Sequence, residues 1–153
     1  MMEPNFHVVL LTPQIPNNTG NIGRLCVGMG CKLHLIKPLG FEISDTRVKR
    51  AGLDYWPNLD WALHEDFDSF LQTVDRPKRM FFFTAHTQQS YYEVAFQPGD
   101  WLIFGREADG LPPEILAQYQ AQCLTIPVLG EVRSFNLANA VAMALSQALR
   151  PPA

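Results

Sequence analysis

Charge is scarce in this chain. Asp, Glu, Lys and Arg make up 18% of its 153 residues and sum to −3 at pH 7, with a pI near 5.7. A protein that neutralises many phosphates normally carries a basic surplus, so any nucleic-acid binding rests on a local patch or on a patch doubled by self-association. Cysteine is equally sparse: Cys26, Cys31 and Cys123 are an odd number without metal-ligand spacing, and His7, His34, His64 and His86 are scattered singly. Buried free thiols are expected, and no metal. No apolar run approaches a membrane span, and Met1 to Phe6 has no basic n-region of a secretory leader, so a soluble, cytoplasmic protein with no membrane partner is expected. Internal repeats, low-complexity tracts and interdomain linkers are missing too, and only Pro151 to Ala153 reads as a loose tail.

Hydrophobic residues are plentiful, at 47%. That share and the length predict a single domain over residues 1–153, able to bury a core without staples. Short β-prone runs recur at Phe6–Leu11, Leu33–Ile36, Leu59–Leu63, Met80–Thr84, Trp101–Phe104 and Cys123–Ile126, with helical or turn-rich segments between most of them. The alternation predicts an α/β fold, a mostly parallel sheet flanked by helices. In the first helix Ile22, Leu25, Cys26 and Met29 recur at helical spacing, with Asn18 or Thr19 as cap and Gly30 as stop. Phe67, Phe70, Leu71 and Val74 repeat that spacing after Asp66, and Pro112 and Pro113 open a short helix carrying Ile115, Leu116 and Tyr119. A last, Ala-rich helix follows, striped by Leu137, Val141, Leu145 and Leu149; its small residues imply tight packing or a dimer contact.

Polar loops after strands are the candidate sites, because ligands of α/β sheets sit at strand ends. Pro16 to Arg24 is such a turn, and Arg24 is placed either to reach the ligand edge or to stand as a surface arginine. Gly105 to Pro112 matches neither a P-loop nor the GxGxxG fingerprint, which leaves ATP and NAD poorly supported. Its flanking glycines suit a backbone that approaches a ligand closely, with Glu107 as acceptor; a simple turn is the bland alternative. Arg133, Ser134, Asn136 and Asn139 crowd the junction after Ile126-Pro127-Val128, more polar side chains than one helix cap requires. Three such loops on one sheet edge predict a composite pocket. A fourth region sets Arg47, Lys49 and Arg50 beside Tyr55 and Trp56: cations meet phosphates and aromatic faces stack bases. A solvated helix face with an Arg50–Asp54 pair is the plainer alternative there. Lys78 and Arg79 are candidates to extend the patch, whereas Phe81, Phe82 and Phe83 read as core.

NNTGNIGRLC, FGREADGLP and IPVLGEVRSFNLANAVAMAL, in that order, resemble the three motifs of the SPOUT class of RNA methyltransferases, and the likeness covers nearly the whole chain. RVKRAGLDYW is similar to the segment after the first motif in the minimal members, the TrmL/YibK group of tRNA (cytidine(34)-2′-O)-methyltransferases. The resemblance implies an α/β fold with a deep trefoil knot at its C-terminal end, a homodimer, and S-adenosylmethionine bound in a bent form. Carried over by motif, it implies cofactor contacts at Phe83, Thr84, Gly105, Glu107, Ile126, Val128 and Ser134. It further implies catalytic roles for Arg24, Ser134 and Asn136, and contacts of Arg24, Arg47, Lys49, Arg50 and Tyr55 with the tRNA anticodon stem-loop. Larger relatives add an RNA-binding domain for which this chain has no room. Where many relatives carry a tyrosine on the last helix, this chain has Ser146.

The implied reaction is methylation of the ribose 2′-hydroxyl of the wobble nucleotide, C34 or U34. An in-line displacement of this kind needs alignment and loss of the hydroxyl proton, but no metal. A guanidinium with a pKa above ~12 is a poor base, so Arg24 is expected to bind phosphate and stabilise developing oxyanion character. The alternatives are a 2′-O-methyltransferase acting at another tRNA or rRNA position, and a non-catalytic RNA-binding protein of the same fold.

Overall fold

A computed structural model describes residues 3–151, apart from the side chains of residues 52–54. Each apolar run forms a strand: β1 (His7–Leu11), β2 (Lys32–Ile36), β3 (Trp61–His64), β4 (Met80–Phe83), β5 (Trp101–Phe104) and β6 (Cys123–Leu124). The helices between and after them are α1 (Pro16–Met29), α2 (Thr46–Gly52), α3 (Phe67–Leu71), α4 (Pro113–Gln118) and α5 (Leu137–Ala148). The six-stranded sheet runs β3-β2-β1-β5-β4-β6, with every strand pairing parallel.

Parallel neighbours need crossovers that cover the sheet faces, which is why these strands are apolar at both parities. Val8, Leu10, Phe81, Phe83, Leu102 and Phe104 pack with Ile22 and Cys26 of α1 and Val141 and Leu145 of α5. Residues of the other parity, among them Val9, Leu11, Phe82 and Ile103, pack with Phe70 of α3 and Ile115 and Leu116 of α4. Helix α2 lies outside this sandwich, packed on α1 and anchored by buried Val48. The three cysteines are free and buried.

Local signals account for several helix ends. Gly30 stops α1 in the left-handed region (φ 66°), the Asp66 carboxylate accepts from the Ser69 amide at 2.7 Å to cap α3, and Asn136 caps α5. The cap expected for α1 is different. Pro16 is its first residue, so Asn18 and Thr19 are buried inside its first turn, and Ile15 precedes it without a side-chain cap. An anion from a distant loop serves that end instead, as described below.

Two sets of polar residues lie outside the lining of the cavity described below. At the N-terminal edge Arg79 makes a two-pronged ion pair with fully buried Asp100, at 2.8 and 2.6 Å. That pair corrects the expectation for Arg79 as an extension of the cationic patch, while Lys78 beside it is exposed. Across β1, β2 and β3, His7 Nδ1 and His34 Nε2 share a hydrogen bond of 2.9 Å, as do His34 Nδ1 and His64 Nε2. Burial pushes His7 down to about 4 and His34 down to about 2, and it lowers His64 as well, so the row is neutral at pH 7.

Candidate functional site

Strand register sets the rim of the site. Phe83 pairs with Phe104 on one side and Leu124 on the other, so β4, β5 and β6 end at one level and their following loops emerge together. β1 and β5 are neighbours whose chains depart to opposite sides of the sheet, a topological switch point where a crevice forms at the carboxyl ends of strands. A cavity of about 520 Å3 lies there. Its floor is apolar, with Phe83 stacked on Phe104 at 4.7 Å and Leu111 beside them, and its rim is polar.

Every residue expected to touch the cofactor lines this one cavity: Phe83, Thr84, Gly105, Glu107, Ile126, Val128 and Ser134, with Asn136 next to them. Thr84 turns the chain at the end of β4 through its hydroxyl, which accepts from the His86 amide at 3.1 Å. Gly105 is a steric requirement, since a Cβ there would lie 2.1 Å from the Gly110 carbonyl carbon. The loop it opens is closed by Arg106 and Asp109, whose paired side chains hold the Asp109 carboxyl below the usual range.

Glu107 ties this loop to the start of α1. Its Oε1 accepts from the Gln14 amide at 2.8 Å, and its Oε2 accepts from the Ile15 amide at 2.9 Å and the Asn18 side-chain amide at 3.2 Å. In return the Gln14 side-chain carbonyl accepts from the Ala108 amide at 2.9 Å. A carboxylate at the N-terminus of α1 supplies the negative charge that its own sequence lacks. Asn18 continues the network, its Oδ1 accepting from the Asn136 side-chain amide at 3.2 Å, while Asn136 Oδ1 accepts from the Asn139 amide. Asn136 is therefore both helix cap and network member. Gln14 is the residue that sequence reasoning missed, and Asn18 was expected as a helix cap within the Pro16–Arg24 turn; their partners lie 89 to 118 positions away, and no local pattern announces such pairings.

The cationic residues stand elsewhere. Arg24 is exposed on α1 and is not among the cavity-lining residues; its guanidinium carbon lies 5.1 Å from the centroid of the Tyr55 ring. Lys49 and Arg50 are exposed on α2, and Arg47 there is paired with Asp45 at 2.9 Å. The Arg50–Asp54 pair involves a side chain outside the described ones. Trp56 is half-buried against the core rather than open for stacking. Ser146 is exposed on α5. Among the described residues no cluster of His, Cys, Asp and Glu is arranged to hold a metal ion, and no helix is long and apolar enough to cross a membrane.

Comparison with known proteins adds four findings. The SpoU rRNA Methylase family matches residues 5–146. A tRNA (cytidine(34)-2′-O)-methyltransferase of Acidovorax sp. (strain JS42) is 46% identical over 147 residues, which is 95% of this chain and 91% of that protein. Among solved structures, one described as "Structural insights into the 2-OH methylation of C/U34 on tRNA" superposes with a TM-score of 0.90 at 49% identity, covering 94% of this chain and 93% of that one. An AdoMet-bound rRNA methyltransferase from Sinorhizobium meliloti shares the fold, with a TM-score of 0.84 at 22% identity over 96% of this chain and 56% of its own.

Proposed function

This chain belongs to the SpoU rRNA Methylase family, and from that premise we propose that it transfers a methyl group from S-adenosylmethionine to the ribose 2′-hydroxyl of C34 or U34 in tRNA anticodon loops. The observation that carries this reading is the convergence of three motif loops on one cavity at the switch point. The residues present fit the cofactor. A mostly apolar pocket of this size suits a small molecule with a flat ring, and the bare Gly105 lets a backbone approach it. Phe83, Thr84, Gly105, Ile126, Val128 and Ser134 would hold it, and Glu107 fixes the walls. When bound, S-adenosylmethionine supplies an electrophilic methyl group on a sulfonium. Ser134 and Asn136 orient the acceptor ribose at the mouth of the cavity, while Arg24, with five donors and no acceptor, binds phosphate and stabilises charge developing on the 2′-oxygen. Arg47, Lys49 and Arg50 extend the contact to the anticodon stem-loop.

A homodimer belongs to the same reading, with residues 1–153 as one domain working in the cytoplasm. Arg24 lies outside the cavity of its own chain, which supports a site completed by a second copy. Exposed Leu129, Val132 and Phe135, in the loop that edges the cavity, provide an apolar surface for that contact. The deep C-terminal knot belongs to the same reading, which is supported by the return of the chain after β6 to pack α5 against α1 and β5.

Labelled methyl transfer to total tRNA from a strain lacking this protein, followed by nucleoside mapping, tests the reading. The expected product is 2′-O-methylcytidine or 2′-O-methyluridine at position 34. A label at another position overturns the target, and cofactor binding without transfer overturns the activity. Arg24→Ala is expected to keep cofactor affinity and to lower the rate by about 10²–10³. Mixing Arg24→Ala subunits with Gly105→Val subunits is expected to restore roughly a quarter of wild-type activity if sites are shared across the dimer.

A further inference from the structure

Arginine side chains on this surface are held in two ways. Arg47 and Arg106 give their N–H donors to carboxylates, Asp45 and Asp109. Arg24 instead lies over the ring of Tyr55, 5.1 Å from its centroid. A carboxylate partner occupies the donors that an arginine needs to grip phosphate, whereas an aromatic face attracts the cation through its quadrupole and leaves the donors pointing outward. Tyr55 thus restrains a long, rotamer-rich side chain without competing for its chemistry.

The ring is brought there by the residue next to it. Trp56 rests on Gly23, where an added Cβ would come within 3.1 Å of the indole and 3.2 Å of Leu59. Its indole also packs against Trp61, with centroids 5.5 Å apart. Two consecutive residues of α1, Gly23 and Arg24, therefore dock on two consecutive residues of the turn Leu53–Asn58, Trp56 and Tyr55. The bare glycine seats the indole, and that seat places the phenol under the guanidinium.

We propose that Tyr55 is a positioning residue for methyl transfer, holding Arg24 through its ring in the pose that meets the RNA, with Trp56 on Gly23 as the seat of that arrangement. This deepens the tRNA-methylation reading above and rests on it. Tyr55 acts through Arg24 and does not stack a base. The test is steady-state kinetics of the full chain on tRNA, with binding of S-adenosylmethionine measured separately. Tyr55→Leu is expected to lower kcat roughly five-fold, with KM for tRNA and the cofactor Kd unchanged, and Tyr55→Phe to restore kcat, because the ring and not the hydroxyl carries the attraction. In an Arg24→Lys background the Tyr55→Leu effect is expected to shrink. A raised KM for tRNA with kcat kept would mean base stacking and overturn the proposal, as would an unchanged kcat. The contact has a readout independent of activity: the Arg24 Nε–H resonance of the free protein is expected to be shifted upfield by the ring current and to move downfield in Tyr55→Leu. Absence of transfer by the wild-type protein defeats the methylation reading, whereas absence of that ring-current shift defeats the Tyr55 assignment.

Discussion

The Glu107–Asn18–Asn136 network and the His7–His34–His64 row are both lines of hydrogen-bonded side chains within one parallel sheet protein, and of the two the first lines the cavity of about 520 Å3. The network joins segments 89 and 118 residues apart, at loops that follow strands. The row joins side chains on three adjacent strands, under Phe70 and beside Trp101, which stacks on His7 at 3.7 Å and donates to Asp75 at 3.1 Å. Titratable groups in the second set satisfy one another across neighbouring strands. Amides and one carboxylate in the first hold three loops apart around the cavity. A lowered histidine pKa therefore marks packing here, and the plain amides mark the site.

Substitutions can break that contrast, beginning with the strongest. Asp100→Ala leaves Arg79 as a partly buried charge without its partner, and is expected to lower unfolding free energy by about 3–5 kcal/mol in urea titrations while the folded fraction binds S-adenosylmethionine normally. Gly105→Ala is expected to do the reverse. Its Cβ must displace the Gly110 backbone, a strain of roughly 1–3 kcal/mol that shows as a 10- to 100-fold weaker cofactor Kd by calorimetry, with the melting temperature little changed if the loop alone gives way.

A pH series sharpens the same contrast. Unfolded histidine titrates near 6.5, whereas folded His7 and His34 lie at about 4 and about 2. Between those values the unfolded chain binds more protons, so stability is full above pH 7 and falls as pH drops through 6.5 towards 4. His34→Gln is expected to flatten this profile in denaturant midpoints without altering cofactor affinity at pH 7.5. The smallest effect belongs to the patch: Lys49→Ala is expected to weaken tRNA binding a few-fold and to reduce the slope of log K against log salt by about one.

Legibility in the sequence followed the range of the interaction responsible. The strands are apolar at both parities because helices cover both faces, and that pattern is local, so each run was readable. Gly30, Asp66 and Asn136 act on neighbouring amides and were readable too. The start of α1 was not, because its charge partner, Glu107, comes from a loop more than ninety residues later. Arg79 read as a free cation for the same reason, since Asp100 is brought to it only when β4 and β5 pair.

By itself the sequence determined the family, through three motifs in order, and the α/β class, through alternating apolar runs and helical stripes. Hydrophobic periodicity and glycine placement are properties of short stretches and need no partner to be read. Tertiary structure alone decided that Phe83, Gly105, Ile126 and Asn136 share one cavity and that Arg24 stands outside it over Tyr55. Strand register and the packing of the Leu53–Asn58 turn on α1 set those distances, and both arise from contacts between residues far apart in the chain.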